Sequence, residues 1–235
     1  MAVYALLDWD TLNKSGISIE EFCKTAKGLK AKILQYRDKN STFEEKYQRL
    51  LTIRKHWKKT LIINDTVELL PYCDGIHIGQ EDLQNLCKTY NLSSFEIIYA
   101  IKNGKWRMEN GKFKIINKNS KSVNQNSQFS ILNSKFIVGL STHNKEEIIE
   151  ANRLPLSYIG LGAYRETSTK NTNNILGEKV IKLIKYSYHP VAVIGGVKIY
   201  DKIPSKFKVI GSDICKLTSS RSKRKRILKK KSRIL

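Results

Sequence analysis

The sequence predicts an α/β protein, a (β/α)8 TIM barrel, on three observations. Eight short apolar runs are mostly continuous rather than alternating, the pattern of parallel strands buried on both faces. A helix-like stretch separates most runs from the next. Residues 1–217 hold all eight units, which suits a compact barrel in one domain. A doubly wound sheet is the alternative architecture.

The elements follow in order. Val3–Leu7 reads as the first strand. Ser18 and Glu21 make a capping box ahead of a helix over Phe22–Leu29. Strand Ile33–Tyr36 leads to helix Phe43–His56, whose outer face is charged. Strand Thr60–Ile63 precedes a short helix at Val67–Leu70, and strand Gly75–Ile78 a short helix from Glu81. Strand Phe136–Leu140 is followed by helix Lys145–Asn152, and strand Tyr158–Gly162 by helix Leu176–Tyr188. Strand Val191–Ile194 precedes a short helix near Ile199–Ile203, and Lys208–Ile210 is the last strand.

Two regions break this rhythm. Between about residues 95 and 133 lies an insertion after the fourth strand, with Asn103-Gly104 and Asn110-Gly111 flanked by residues of strand type. Asn-Gly favours two-residue hairpins, because both central positions need positive φ. The insertion is therefore expected to be a β-meander of Glu96–Ile101, Lys105–Met108 and Lys112–Ile116, followed by a mobile loop at Asn117–Ser130. The second break is a basic C-terminal tail, 218–235, which is expected to be disordered.

The formal charge of +22 has two sources. The tail carries nine Lys/Arg and no acid; the remainder has 34 basic against 21 acidic residues. The body alone thus attracts a small anionic substrate. Nucleic-acid contact through the tail is a secondary expectation, and a homo-oligomer is compatible with the sequence. No apolar run approaches the roughly 18 residues that span a bilayer. Met1-Ala2-Val3-Tyr4 has no basic segment followed by an apolar one, so no signal peptide and a cytoplasmic location are expected. Cys23, Cys73, Cys87 and Cys215 show no CxxC spacing and are expected to be reduced thiols.

A barrel gathers its chemistry at the C-terminal ends of its strands. After the second strand, Gln35, Arg37 and Lys39 share one face of an extended segment. Two cations and an amide there form an oxyanion clamp; a solvated loop with ordinary ion pairs is the plainer reading. Asp65 and Asp82, after strands three and four, suit Mg²⁺, which takes few carboxylates and several substrate or water oxygens. Asp74 and Glu81 are nearby rivals, and the same residue types serve as helix caps. Gly195-Gly196 and Ile210-Gly211-Ser212 end strands seven and eight, the usual place of a barrel phosphate site. Ser141 ends strand five, and Thr167, Thr169 and Lys170 follow strand six. These residues give two anion sites, one around Arg37, Lys39 and Lys170 and one around Gly196 and Gly211. Substrates with two separate phosphate groups are implied. No Ser-His-Asp or Cys-His constellation is evident.

Together, Gln-x-Arg-x-Lys, Asn-Asp, Asp-Gly-x-His-x-Gly-Gln-Glu-Asp, Gly-x-Ser-Thr-His, Tyr-x-Gly-x-Gly with a following Thr-x-Thr-Lys, and Ile-Gly-Gly resemble the thiamine-phosphate synthase (thiamine-phosphate pyrophosphorylase) family. The resemblance covers about residues 3–94 and 135–212. It implies a Mg²⁺-dependent transferase of thiamine biosynthesis. Such an enzyme joins 4-amino-2-methyl-5-hydroxymethylpyrimidine diphosphate to a thiazole phosphate and releases pyrophosphate. Carried over by position, Gln35, Arg37, Lys39 and Asn64 would hold the pyrimidine diphosphate. Ser141 and Lys170 would contact its phosphates, and Asp65 and Asp82 would bind Mg²⁺. Thr167, Thr169, Gly196 and the Ile210-Gly211 turn would hold the thiazole phosphate. His77 and His143 are expected to be structural or substrate-edge hydrogen bonders. The chain departs from the family where Ala163-Tyr164-Arg165-Glu166 replaces a proline turn, with the bulky Arg165 close to the site, and at its last phosphate loop. The related thiazole tautomerase, with a catalytic His where Ser141 stands, is the nearest alternative. A non-catalytic nucleic-acid-binding barrel is the alternative from another class.

Overall fold

Eight parallel strands close into a barrel in this computed structural model, which describes residues 1–110, 112–116, 135–166 and 175–220. They are β1 (Ala2–Asp8), β2 (Ile33–Arg37), β3 (Thr60–Asn64), β4 (Gly75–Ile78), β7 (Ile137–Thr142), β8 (Tyr158–Leu161), β9 (Val191–Val193) and β10 (Phe207–Ile210). A hairpin of β5 (Trp106–Glu109) and β6 (Lys112–Ile115) stands apart from them. Each barrel strand pairs with its neighbour in the chain, and β1 closes the ring against β10.

The continuous apolar runs follow from burial of both strand faces. Along β1, Tyr4 and Leu6 point into the barrel, while Ala5 and Leu7 face the helices. The same alternation carries Ile33, Ile62, Tyr158, Ala192 and Val209 inward. Leu34, Ile63, Ile76, Val138, Ile159, Val193 and Ile210 face outward. Most inward positions nearest the C-terminal ends are polar or glycine, Ile194 after β9 being an exception, so the side-chain period of two builds both the packed interior and the floor of the site.

Helices α2 (Ile19–Gly28) and α3 (Phe43–His56) both begin with reciprocal capping boxes, Ser18 with Glu21 and Thr42 with Glu45. They are followed by a 3₁₀ turn (Val67–Tyr72) and α4 (Gln80–Tyr90), then α6 (Lys145–Ala151) and α7 (Lys179–Ile184). Residues 212–220 form a last helix. A six-residue helix α1 (Trp9–Lys14) directly after β1 was not anticipated; Asp8 caps it by accepting from the Thr11 amide.

Five sequence expectations are corrected. Glu96–Ile101 is not a strand: it belongs to helix α5 (Ser94–Lys102), opened by a Ser93/Glu96 capping box. Asn103 caps that helix instead of turning a hairpin. Only the second Asn-Gly lies between paired strands, and there Asn110 takes φ +50°. No helix forms near 199–203, where Asp201 accepts from the Lys198 amide and holds a turn. Helix α7 is shorter than the expected Leu176–Tyr188. Finally, the last helix runs past 217. Thr218 is buried, its hydroxyl 2.8 Å from both the Ile214 carbonyl and Thr25 Oγ1. The rest of the basic tail, 221–235, and the expected loop at Asn117–Ser130 lie outside the described residues.

The four cysteines are free, and burial pushes the Cys23 and Cys73 thiols up to about 12. Among the described residues no helix is long and apolar enough to cross a membrane.

The insertion leaves the barrel between β4 and β7, where Gly75 packs directly on Ile137. A Cβ at Gly75 would stand 2.1 Å from the Ile137 carbonyl oxygen, and paired backbone cannot yield as a side chain can. Gly75→Ala should therefore cost about 3 kcal/mol and lower Tm by roughly 6–12 °C. Calorimetry showing an unchanged Tm would contradict this packing.

Candidate active site

The C-terminal ends of the strands surround a cavity of about 330 Å³. Of the residues singled out from the sequence, Gln35, Arg37, Lys39, Asn64, Asp65, Asp82, Ser141, Gly196 and Gly211 all line it. Ile210 does not. It precedes the cavity-lining Gly211, and its side chain is buried in the outer core. Thr167, Thr169 and Lys170 lie outside the described residues.

The clamp is built from β2 upward. Gln35 is buried, and its amide donates to Asn64 Oδ1 on β3 at 2.9 Å. Two residues on, Arg37 forms an ion pair with the buried Asp8 at the end of β1. Asp8 also accepts from both the amide and the hydroxyl of Thr11 through its other oxygen. Its carboxylate is thus fixed, and it aims the guanidinium at the cavity rim. Lys39 stays half exposed, its Nζ 3.8 Å from Asp65 Oδ2.

Asp65 and Asp82 converge above Gly79. Asp65 sits in the left-handed region at φ +59°, which Asp and Asn tolerate better than most residues. Its Oδ1 accepts from the Gly79 amide at 3.0 Å, and the Asn64 side-chain amide donates to its Oδ2. A Cβ on Gly79 would lie 2.6 Å from Asp82 Oδ2 and 3.8 Å from Asp65 Oδ1. Glycine here lets the carboxylates approach each other. Burial, reinforced by the charge of Asp82, pushes the Asp65 carboxyl up to about 6; the Gly79 amide and Lys39 pull the other way. Asp74 is no rival, since its carboxylate accepts from the Leu61 amide at 2.7 Å and from Arg54 at 2.9 Å. Glu81 lines the cavity beside Asp82 on the first turn of α4.

The floor is a chain of hydrogen bonds. His77 Nε2 lies 3.0 Å from Ser141 Oγ and Nδ1 3.0 Å from the Tyr158 hydroxyl, which is 2.8 Å from that of Tyr4. Gln80 donates to the Ser141 carbonyl at 2.7 Å. His143 instead pairs with Glu147 at 2.9 Å.

On the opposite rim, Gly195 (φ +91°) and Gly196 (φ +63°) turn the chain after β9. A side chain at Gly196 would strike Arg165. Arg165 does not occupy the cavity. Its guanidinium makes a two-point ion pair with Asp201, 3.0 Å at the longer contact, and donates to the Gly196 carbonyl at 3.2 Å. It straps the loop after β8 to the loop after β9. Gly211 and Ser212 complete this rim at the start of the last helix.

Comparison with known proteins identifies the family. The family model described as thiamine monophosphate synthase matches residues 10–94 and 119–204. A thiamine-phosphate synthase of Persephonella marina is 30% identical over 173 residues, which is 71% of this chain and 64% of that protein. The thiamine-phosphate synthase of Dictyoglomus thermophilum is 30% identical over 189 residues, 76% of this chain and 67% of the relative. The chain thus spans about two thirds of the length of these relatives. Among solved structures, a thiamine phosphate pyrophosphorylase from Pyrococcus furiosus superposes with a TM-score of 0.60, covering 94% of both chains at 18% identity.

The raised Asp65 carboxyl has a pH consequence. Its value in the folded chain lies above the ordinary 3.8. The folded state therefore holds a proton that the unfolded state releases between these values. The stability this group contributes is complete below about 3.8 and is lost as pH rises through about 6. Carboxyl NMR in chelator-treated buffer should place the Asp65 midpoint near 6, and Asp82→Asn should lower it. A midpoint in the ordinary range would contradict the pairing.

Proposed function

The chain belongs to the thiamine monophosphate synthase family, and on that premise we propose that it is a Mg²⁺-dependent thiamine-phosphate synthase. It condenses 4-amino-2-methyl-5-hydroxymethylpyrimidine diphosphate with a thiazole phosphate, giving thiamine phosphate and pyrophosphate. One observation carries the reading. A single cavity has a cationic and carboxylate rim on one side and a glycine-lined helix start on the other. Two phosphate-bearing substrates can meet there with their rings between the rims.

The chemistry needs no protein nucleophile. The bond from the pyrimidine methylene carbon to the diphosphate oxygen breaks, the electron-rich aminopyrimidine carries the positive charge, and the thiazole nitrogen attacks that carbon. The protein must hold the leaving group and align the rings. Arg37, fixed by Asp8, and Lys39 neutralise charge that grows on the departing diphosphate. Gln35 and Asn64, joined to each other, offer a rigid polar edge to the pyrimidine. Lys170, Thr167 and Thr169 belong to the same expectation from the family motif.

The carboxylates fit Mg²⁺ on their own chemistry. Among the described residues no group of three or more His, Cys, Asp or Glu forms a full protein cage. A converging pair suits an ion that completes its shell with water and substrate phosphate oxygens. Asp65 and Asp82 would hold it, and when bound it would offset the charge of the diphosphate leaving group.

Purified protein supplied with both substrates and Mg²⁺ should form thiamine phosphate and pyrophosphate; no product from the folded protein would sink the proposal. Arg37→Ala should lower kcat/KM by about two to three decades, the loss of roughly 3–4 kcal/mol of transition-state stabilisation. A near-wild-type rate would rule out the clamp.

A further inference from the structure

The hydrogen-bond chain beneath the cavity has a direction, and that direction reaches Ser141. Its lower end is buried. Tyr4 is 1% exposed and Tyr158 3%, and among the described residues the Tyr4 hydroxyl meets one partner, the Tyr158 hydroxyl at 2.8 Å. Burial holds both phenols protonated, well above their ordinary range. A buried donor without an acceptor is costly, whereas a phenol oxygen that accepts nothing is tolerated. Tyr4 must therefore donate to Tyr158. The Tyr158 proton is then left for His77 Nδ1, 3.0 Å away. Nδ1 becomes the acceptor of a neutral imidazole, and the ring proton sits on Nε2. That proton points to Ser141 Oγ at 3.0 Å. The reverse direction would strand the Tyr4 proton.

The packing around the chain is specific to it. A Cβ at Gly139 would stand 2.2 Å from the Tyr158 ring, and one at Gly160 2.9 Å from the His77 ring. Both glycines are inward positions on barrel strands, and both leave the room these rings occupy. The rings of His77 and Tyr158 stack at 5.6 Å, and Tyr4 meets Tyr158 edge-on at 5.8 Å. The bond from Gln80 to the Ser141 carbonyl fixes the serine backbone.

We infer that Tyr4, Tyr158 and His77 are positioning residues that fix the polarity of Ser141, so that its hydroxyl accepts from His77 and turns its proton into the cavity. The consequence for catalysis rests on the synthase reading: Ser141 then meets the substrate as a hydrogen-bond donor, suited to an oxygen of the leaving diphosphate. A serine free to rotate would spend part of its time donating to His77 instead.

The test uses the full chain labelled with ¹⁵N-histidine. There are four histidines, and His77→Gln identifies the signal of interest. Wild-type His77 should be neutral with its proton on Nε2, and Tyr158→Phe should shift the population toward the Nδ1–H form. A wild-type ring protonated on Nδ1 or on both nitrogens would overturn the inference. So would a tautomer indifferent to Tyr158→Phe; if that variant does not fold, Tyr4→Phe tests the same dependence. Kinetics supply the second arm. Tyr158→Phe should lower kcat about tenfold at nearly constant KM, the scale of losing an orienting partner, yet add less than about twofold in a Ser141→Ala background. Fully additive losses would show that the chain does not act through Ser141. The tautomer arm is independent of activity, so an inactive wild-type protein would refute the synthase reading and leave the polarity to be decided by the spectrum.

Discussion

Strand β1 is the constraint on which the rest of this molecule depends. It hydrogen-bonds in parallel register to β2 on one side and β10 on the other, so without it there is no closed barrel. Its inward residues build the site in sequence. Tyr4 ends the buried hydrogen-bond chain, Leu6 lines the cavity wall and Asp8 holds Arg37 at the rim. One carboxylate thus has two duties, capping the first helix and fixing Arg37 at the cavity rim. An Arg with no such partner would sample many rotamers and lose entropy on binding. Here that ordering is completed during folding.

The electrostatics of the mouth are divided. The Arg37 side has its compensating charge beneath it, whereas the Asp65–Asp82 side brings two carboxylates together, offset by the Gly79 and Asn64 amides and a half-exposed Lys39. Such a pair is unfavourable in isolation and, under the proposed function, would become favourable with a divalent cation and an anionic ligand together. The net positive charge of the chain would draw such a ligand in from a distance. The opposite rim is lined by glycine instead of charge: Gly196 and Gly211 border the cavity, and the Arg165–Asp201 strap holds the loop that carries Gly196. The chain's departure from the family at Arg165 is therefore structural, with the guanidinium spent on Asp201 rather than on substrate.

Much of this was legible in the sequence, for a physical reason. Strands buried on both faces are largely apolar, so β2, β3, β4 and β8 announce themselves as short runs such as Ile33–Tyr36 and Tyr158–Gly162. The period of two then puts Gln35, Arg37 and Lys39 on one face. Helix α5 was misread because Glu-Ile-Ile-Tyr-Ala-Ile is apolar and β-branched, and so fits a buried strand as well as a buried helix; the Ser93/Glu96 cap was the signal that separates them. Asp8 carried no signal. A lone acid at a strand end gains its role only when β1 lies beside β2. Tyr4 and Tyr158 meet across 154 residues of sequence, and no local pattern encodes that contact. The end of the fold was placed too early because Thr218 opens a basic, polar stretch, although the residue itself is buried against Thr25.

If the Asp65–Asp82 pair is half of a site completed by cation and diphosphate, calorimetric titration with inorganic pyrophosphate reveals it most directly. Wild-type protein and Asp65→Asn/Asp82→Asn are compared in excess Mg²⁺ and in chelator. With Mg²⁺ the wild type should bind pyrophosphate about tenfold or more tightly than the variant. In chelator the order should reverse, because the variant no longer opposes the anion with its own charge. If the wild type binds pyrophosphate equally well with and without Mg²⁺, and the variant matches it in both, the two carboxylates have no part in holding the diphosphate.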